Sequence, residues 1–118
     1  MSELRVAKAS ELIKQEMSQM LLYEVKDPRI GFVTITDVTM TKDLREATVY
    51  VSIMGNDKEI EDTWEGIHSA LPYLRREIGK RVRLRFTPSI SFALDKSLDY
   101  SEHIQKLLLK VERGAIND

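Results

Sequence analysis

Residues 46–53 alternate without interruption. Ala47, Val49, Val51 and Ile53 take the odd positions, and Glu46, Thr48, Tyr50 and Ser52 the even ones. Side chains along a strand point to opposite faces in turn, so this segment reads as a half-buried strand with one apolar face. That face needs a cover, and the flanking segments have helical period. Val6, Ala9, Ile13, Met17, Met20, Leu21 and Val25 recur at intervals of three and four, which predicts an amphipathic helix over 4–25. Ile60, Trp64, Ile67, Leu71, Leu74 and Ile78 form a second stripe, and Asn56 with Glu59 has the spacing of a capping box at its start. One sheet face covered by helices makes an α+β sandwich of two layers.

The remaining segments fill in the order. Val33 and Ile35 alternate with Thr34 and Thr36 in a strand over 32–40, but Val38 and Met40 carry the apolar phase on even numbers. One extra residue reverses the facing of all that follow, so a bulge is expected near Asp37. The short polar connector Thr41–Leu44 then joins the two strands as a hairpin. Pro28 and Gly31 end the first helix near Lys26. Pro72 lies inside the second stripe, where it removes a backbone donor and clashes with the preceding turn. The helix is therefore expected to kink at Ser69, Ala70, Leu71 and Pro72, with Gly79 as its terminator.

Over 83–94, Leu84, Phe86, Ile90, Phe92 and Leu94 alternate with Arg83, Arg85, Thr87, Ser89 and Ser91. This predicts a third strand with the first set inward, held to an edge or a bulge by Pro88. Reached by a helical crossover, it runs parallel to a hairpin strand and makes a three-stranded mixed sheet. Asp99 and Glu102 open a closing helix with the stripe Ile104, Leu107, Leu108 and Val111, and residues 114–118 are expected to fray. The chain reads as one domain over 1–118, ordered from about residue 4 to residue 112.

Composition narrows the function. The chain has no cysteine, which excludes disulfide frameworks, Cys-ligated zinc, iron–sulfur clusters and thiol chemistry. No apolar run approaches the roughly 18–20 residues of a membrane span, and Met1–Arg5 does not start a secretory signal. A cytoplasmic protein without membrane contact is expected. With 18 Lys and Arg against 19 Asp and Glu, a uniformly basic nucleic-acid coat is excluded and only a local patch is left.

Such a patch is present. Arg75, Arg76, Lys80, Arg81, Arg83 and Arg85 are offset within their span by Glu77 alone, a local charge of +5 in a chain of net charge −1. With Leu74 and Ile78 inward, Arg76 and Lys80 point outward, and Arg83 and Arg85 share the outer face of the expected strand. Arginine forks suit phosphate oxygens, so RNA is one reading of the patch. The other is a solvated face, paired in part with Asp57, Glu59, Glu61, Asp62 and Glu65. Lys26, Arg29, Lys42 and Arg45 lie at turns, where contact with RNA and a role in local structure are both open.

Catalysis has little support. His68 and His103 are the only histidines, and neither has metal-ligand spacing or a nucleophile-bearing turn. There is no phosphate-cradling glycine loop. No metal or cofactor is expected. Trp64 falls on the buried stripe, while Tyr50 lies on the polar face of its strand.

Several segments in order resemble the ribosome-binding factor A family: Lys26-Asp27-Pro28-Arg29-Ile30-Gly31, Val38 through Leu44, Ala47 through Ser52, Ile78 through Arg85, and Phe92 through Leu98. The resemblance implies a single type II KH-like domain with the order α-β-β-α(kink)α-β-α. It further implies a non-catalytic, cytoplasmic protein, expected to be a monomer, that binds 16S rRNA in the immature 30S subunit. It would assist late maturation, including 5′-end processing of 16S rRNA, and matter for growth in the cold. A ribosome-associated GTPase is a candidate partner for its release. In that family an Ala-x-Gly kink replaces the Gly-x-x-Gly loop of KH modules; Ala70 matches the alanine, and Pro72 stands at the glycine. The competing functions are a general single-strand RNA binder, a protein–protein adaptor and a small nuclease.

Overall fold

In the computed structural model, which describes residues 3–95 and Leu109, the N-terminal stripe forms α1 (Glu3–Gln19). Ala9, Ile13 and Met17 are buried along it. The chain then widens into a π-helical turn over Met20–Glu24, closed by the Val25 N–H donating to the Met20 carbonyl. This turn buries Met20 and Leu21 together.

Strand β1 (Phe32–Met40) pairs antiparallel with β2 (Glu46–Met54). The register passes from Ile35↔Val51 directly to Asp37↔Tyr50, leaving Thr36 as the extra residue of the expected bulge. Val33 and Ile35 before the bulge and Val38 after it all pack toward the core. The hairpin turn is less polar than its sequence suggests. Leu44 is buried, and its φ of 60° puts it in the left-handed region. That conformation costs a side-chain-bearing residue about 1–2 kcal/mol, which burial of an isobutyl group offsets.

Helix α2 (Asp57–Ser69) starts at the expected capping box: Asn56 accepts from the Glu59 N–H, and Glu59 accepts from the Asn56 N–H. Gly55 precedes it at φ 144°, where a Cβ would meet Glu59 at 2.8 Å. Ala70 caps α2 and starts α3 (Leu71–Arg81), which takes Pro72 in its first turn. The proline thus sits where a helix has no need of its N–H. Gly79 does not end α3, which runs two residues further. A Cβ there would lie 2.6 Å from the Thr87 hydroxyl, so this glycine admits the following loop.

Strand β3 covers only Ser89–Leu94, not 83–94. Residues 83–88 are a loop, and Phe86 is 45% exposed rather than inward. Pro88 explains the shortening: it lacks a donor for the ladder, so pairing starts just after it. The sheet order is β1-β2-β3, with β3 parallel to β2 at an edge. The helices cover one face, over a core of Val49, Val51, Ile53, Ile60, Ile67, Leu74, Ile78 and Phe92. The closing-helix residues Asp99, Glu102, Ile104, Leu107, Leu108 and Val111, together with His103 and the tail 114–118, lie outside the described residues.

The turn between α1 and β1 docks on α2 through Thr63, a fully buried polar side chain. Its hydroxyl accepts from the Gly31 N–H at 3.0 Å and donates to the Arg29 carbonyl at 3.3 Å. Gly66, one turn along, has no room for a Cβ, which would meet Ile30 at 2.6 Å. Thr63→Val keeps the shape but orphans both backbone groups. It is expected to lower unfolding stability by about 1–3 kcal/mol in urea titration; an unchanged midpoint would show the turn is held by other means.

Candidate nucleic-acid interface

The cations singled out in the sequence divide into two groups. Arg81 turns inward. One of its terminal nitrogens donates to Glu24 Oε1 at 2.6 Å and to Glu77 Oε1 at 3.1 Å; the other donates to Glu24 Oε2 at 2.8 Å and lies 3.6 Å from Glu16. Tyr73 donates its hydroxyl to the same Glu24 at 3.1 Å. The network ties α3 to the end of α1, and the π-helical turn carries Glu24 to it. Arg81, read in the sequence as one of the phosphate-facing cations, is surrounded by three carboxylates in the fold. Lys80 pairs with Glu77 at 3.2 Å, with its ammonium well exposed.

Arg75 is also engaged, but without loss of charge. Its Nε donates to the Pro88 carbonyl and a terminal nitrogen to the Thr87 carbonyl, pinning the 82–88 loop against α3. Arg76 lies exposed with its guanidinium 5.9 Å from the Tyr73 ring centroid. Arg29 is neutralised within its own turn. It makes a two-pronged bond to Asp27, which holds that carboxyl below its usual range, and Asp62 and Glu65 lie within its field. Lys26 is exposed. Ser69, Ala70, Leu71 and Pro72 form the expected joint, with Ala70 and Leu71 packed against the core.

Lys42, Arg45, Arg83 and Arg85 are exposed and make no ion pair among the described residues. Arg83 and Arg85 sit on the loop, not on the outer face of a strand as expected. The reason Arg85 still meets the hairpin turn is topological. Parallel pairing sets Ser89 beside Glu46, and the Ser89 N–H donates to the Arg45 carbonyl at 2.8 Å. The turn is cross-linked by its own side chains: the Thr41 hydroxyl donates to Asp43 and accepts from the Glu46 N–H, while Asp43 accepts from the Arg45 N–H. These bonds, the Thr41 hydroxyl first, hold the Asp43 carboxyl below its usual range.

Between turn and loop opens a cleft of about 380 Å³ lined by Arg5, Lys42, Asp43, Leu44, Arg45, Leu84, Arg85 and Phe86. Two guanidiniums approach the Phe86 ring, with Arg45 Cζ 4.2 Å and Arg85 Cζ 5.4 Å from its centroid. Sequence reasoning missed Arg5 and Phe86. For Phe86 the signal was available, because alternation on the far side of Pro88 need not continue a strand.

His68 is a packing residue: its Nδ1 donates to the Trp64 carbonyl at 2.8 Å, and its ring lies against Trp64 and Phe92. Among the described residues, no three His, Asp or Glu side chains gather as metal ligands, and no helix is long and apolar enough to cross a membrane.

The fold is KH-like: a three-stranded mixed sheet with a helix pair in the crossover. The ribosome-binding factor A family model matches residues 5–108, and the chain belongs to that family. It is 45% identical to ribosome-binding factor A of Halothermothrix orenii, over all of this chain and 97% of that one. The crystal structure of ribosome-binding factor A from Thermus thermophilus superposes with a TM-score of 0.66 at 24% identity, over 75% of this chain and 94% of that one. A homology model of the T. thermophilus factor, as fitted into the cryo-EM map of a 30S–RbfA complex, gives a TM-score of 0.58 at 23% identity, covering 80% of this chain and 94% of that one.

The Arg81 network has a pH signature. Arg81 and Tyr73 hold Glu24, and Lys80 and Arg81 hold Glu77, below the ordinary glutamate value of 4.5. Their contribution is complete at neutral pH and is lost as pH falls below 4.5 through the folded values. Arg81→Met should lower Tm by several degrees at neutral pH, with the gap to wild type narrowing as pH falls below 4.5. A gap that stays constant over that range would contradict the network.

Proposed function

We propose that this chain is a non-catalytic ribosome-binding factor that binds 16S rRNA in the immature 30S subunit and assists its late maturation, including 5′-end processing. The family match over 5–108 carries this reading. The T. thermophilus factor in its 30S complex supports the small subunit as the partner. The protein acts in the cytoplasm as a single-domain monomer, matters most in the cold, and is released with the help of a ribosome-associated GTPase.

Binding is electrostatic at its base. Arg83, Arg85, Arg45 and Lys42 neutralise rRNA phosphates, with Arg76, Lys80 and Arg75 extending the footprint along α3. Each neutralised phosphate releases counterions, so affinity falls steeply as salt rises. The factor favours one rRNA arrangement only through its differential affinity for it. Arg81 ties α3 to the end of α1 and Arg29 closes on Asp27, and neither contributes a phosphate contact.

Replacing Arg83 and Arg85 together by Gln should weaken co-sedimentation with immature small subunits and reduce the slope of log affinity against log salt by about 2. The melting temperature should stay near that of wild type, since both side chains are exposed. Unchanged binding and an unchanged slope would remove the loop cations from the interface. Affinity indifferent to salt in the wild-type protein would favour a protein–protein adaptor instead.

A further inference from the structure

We infer that the cleft between the β1–β2 turn and the 82–88 loop is a nucleotide subsite that takes one unpaired, unstacked RNA nucleotide, its phosphate among the cations and its base on the Phe86–Arg45 platform. This rests on the rRNA-binding reading above and specifies what part of the RNA the domain recognises.

Charge comes first. Lys42, Arg45 and Arg85 line the cleft, where Asp43 is the one carboxylate among the described residues, and Asp43 is committed to the Thr41 hydroxyl and the Arg45 N–H. An anion is the complementary occupant. The second observation is aromatic. Phe86 is 45% exposed in the middle of a basic loop, where burial does not account for it. Arg45 and Arg85 lie over its ring, which positions their forks at the cleft and adds guanidinium planes on which a base stacks. A duplex offers phosphates but keeps its base faces stacked inside. A platform next to a cationic cleft therefore suits a nucleotide whose base is turned out. The platform is pre-set: Leu44 is anchored in the core, Arg75 pins the loop by its carbonyls, and the Ser89 N–H holds the Arg45 carbonyl. Little ordering is then left for the moment of binding.

The test separates stacking from charge. Affinity for immature small subunits is measured at several salt concentrations for the wild-type protein, Phe86→Leu and Phe86→Tyr. Loss of one stacked base predicts roughly 5- to 150-fold weaker binding for Phe86→Leu with the salt slope kept, and Phe86→Tyr within about twofold of wild type. A Phe86→Trp variant gives a direct reading, since stacking on a base quenches the new indole while Trp64 stays buried. Equal affinities for the Leu and Tyr variants, or bound Phe86→Trp without quenching, would overturn the subsite and leave phosphate binding by the loop cations standing. Failure of the wild-type protein to bind small subunits would overturn both readings.

Discussion

Parallel pairing of β3 with β2 sets where everything else in this domain goes. A parallel neighbour cannot be reached by a tight turn, so the chain must leave the end of β2, cross the sheet and return. The crossover is the α2–α3 pair, and its apolar stripe lands on the alternating face of β2, where Val49, Val51 and Ile53 are all but inaccessible. The same pairing puts the start of β3 beside the start of β2. Residues 83–86 and 42–45, some forty positions apart in sequence, therefore share one end of the sheet. The core and the cleft are two consequences of one register.

Around that frame the charges sort by what is near them. Cations within reach of a carboxylate are paired inside the molecule. Arg81 gathers Glu24, Glu77 and Glu16, and Arg29 closes on Asp27. Those on the two turns at the end of the sheet have fixed backbones and, among the described residues, make no ion pair. They keep their charge in solvent, which is where a polyanion can use it. A nearly neutral chain thus carries a basic surface without being basic.

Much of the fold was legible from period alone. The fault in β1 at Asp37 showed as a change from odd to even apolar positions, and the capping box at Asn56 was read from spacing. The helix joint followed from Pro72, whose effect is local and steric. What was not legible depended on contacts across the fold. Alternation through 83–94 looked like one strand because periodicity does not register a missing donor at Pro88. Gly79 looked like a terminator because its close approach to Thr87 is tertiary. The same limit applied to the site. Six basic residues in eleven positions read as one patch, yet the carboxylate that removes Arg81 from it lies 57 positions away in a turn whose π-helical widening no local pattern announced. Phe86 was assigned to the core by the same alternation that misplaced Arg83 and Arg85.

The central claim is that the surface facing rRNA is the end of the sheet where Arg45 and Arg85 meet, and not the α1–β1 turn or the internal Arg81 network. A photoreactive amino acid introduced at position 85, compared with one at position 29, tests this most directly when crosslinks to immature small subunits are mapped to nucleotides. The account predicts discrete 16S rRNA crosslinks from position 85 and none from position 29. Crosslinks confined to position 29, or position 85 attaching only to ribosomal protein, would contradict it.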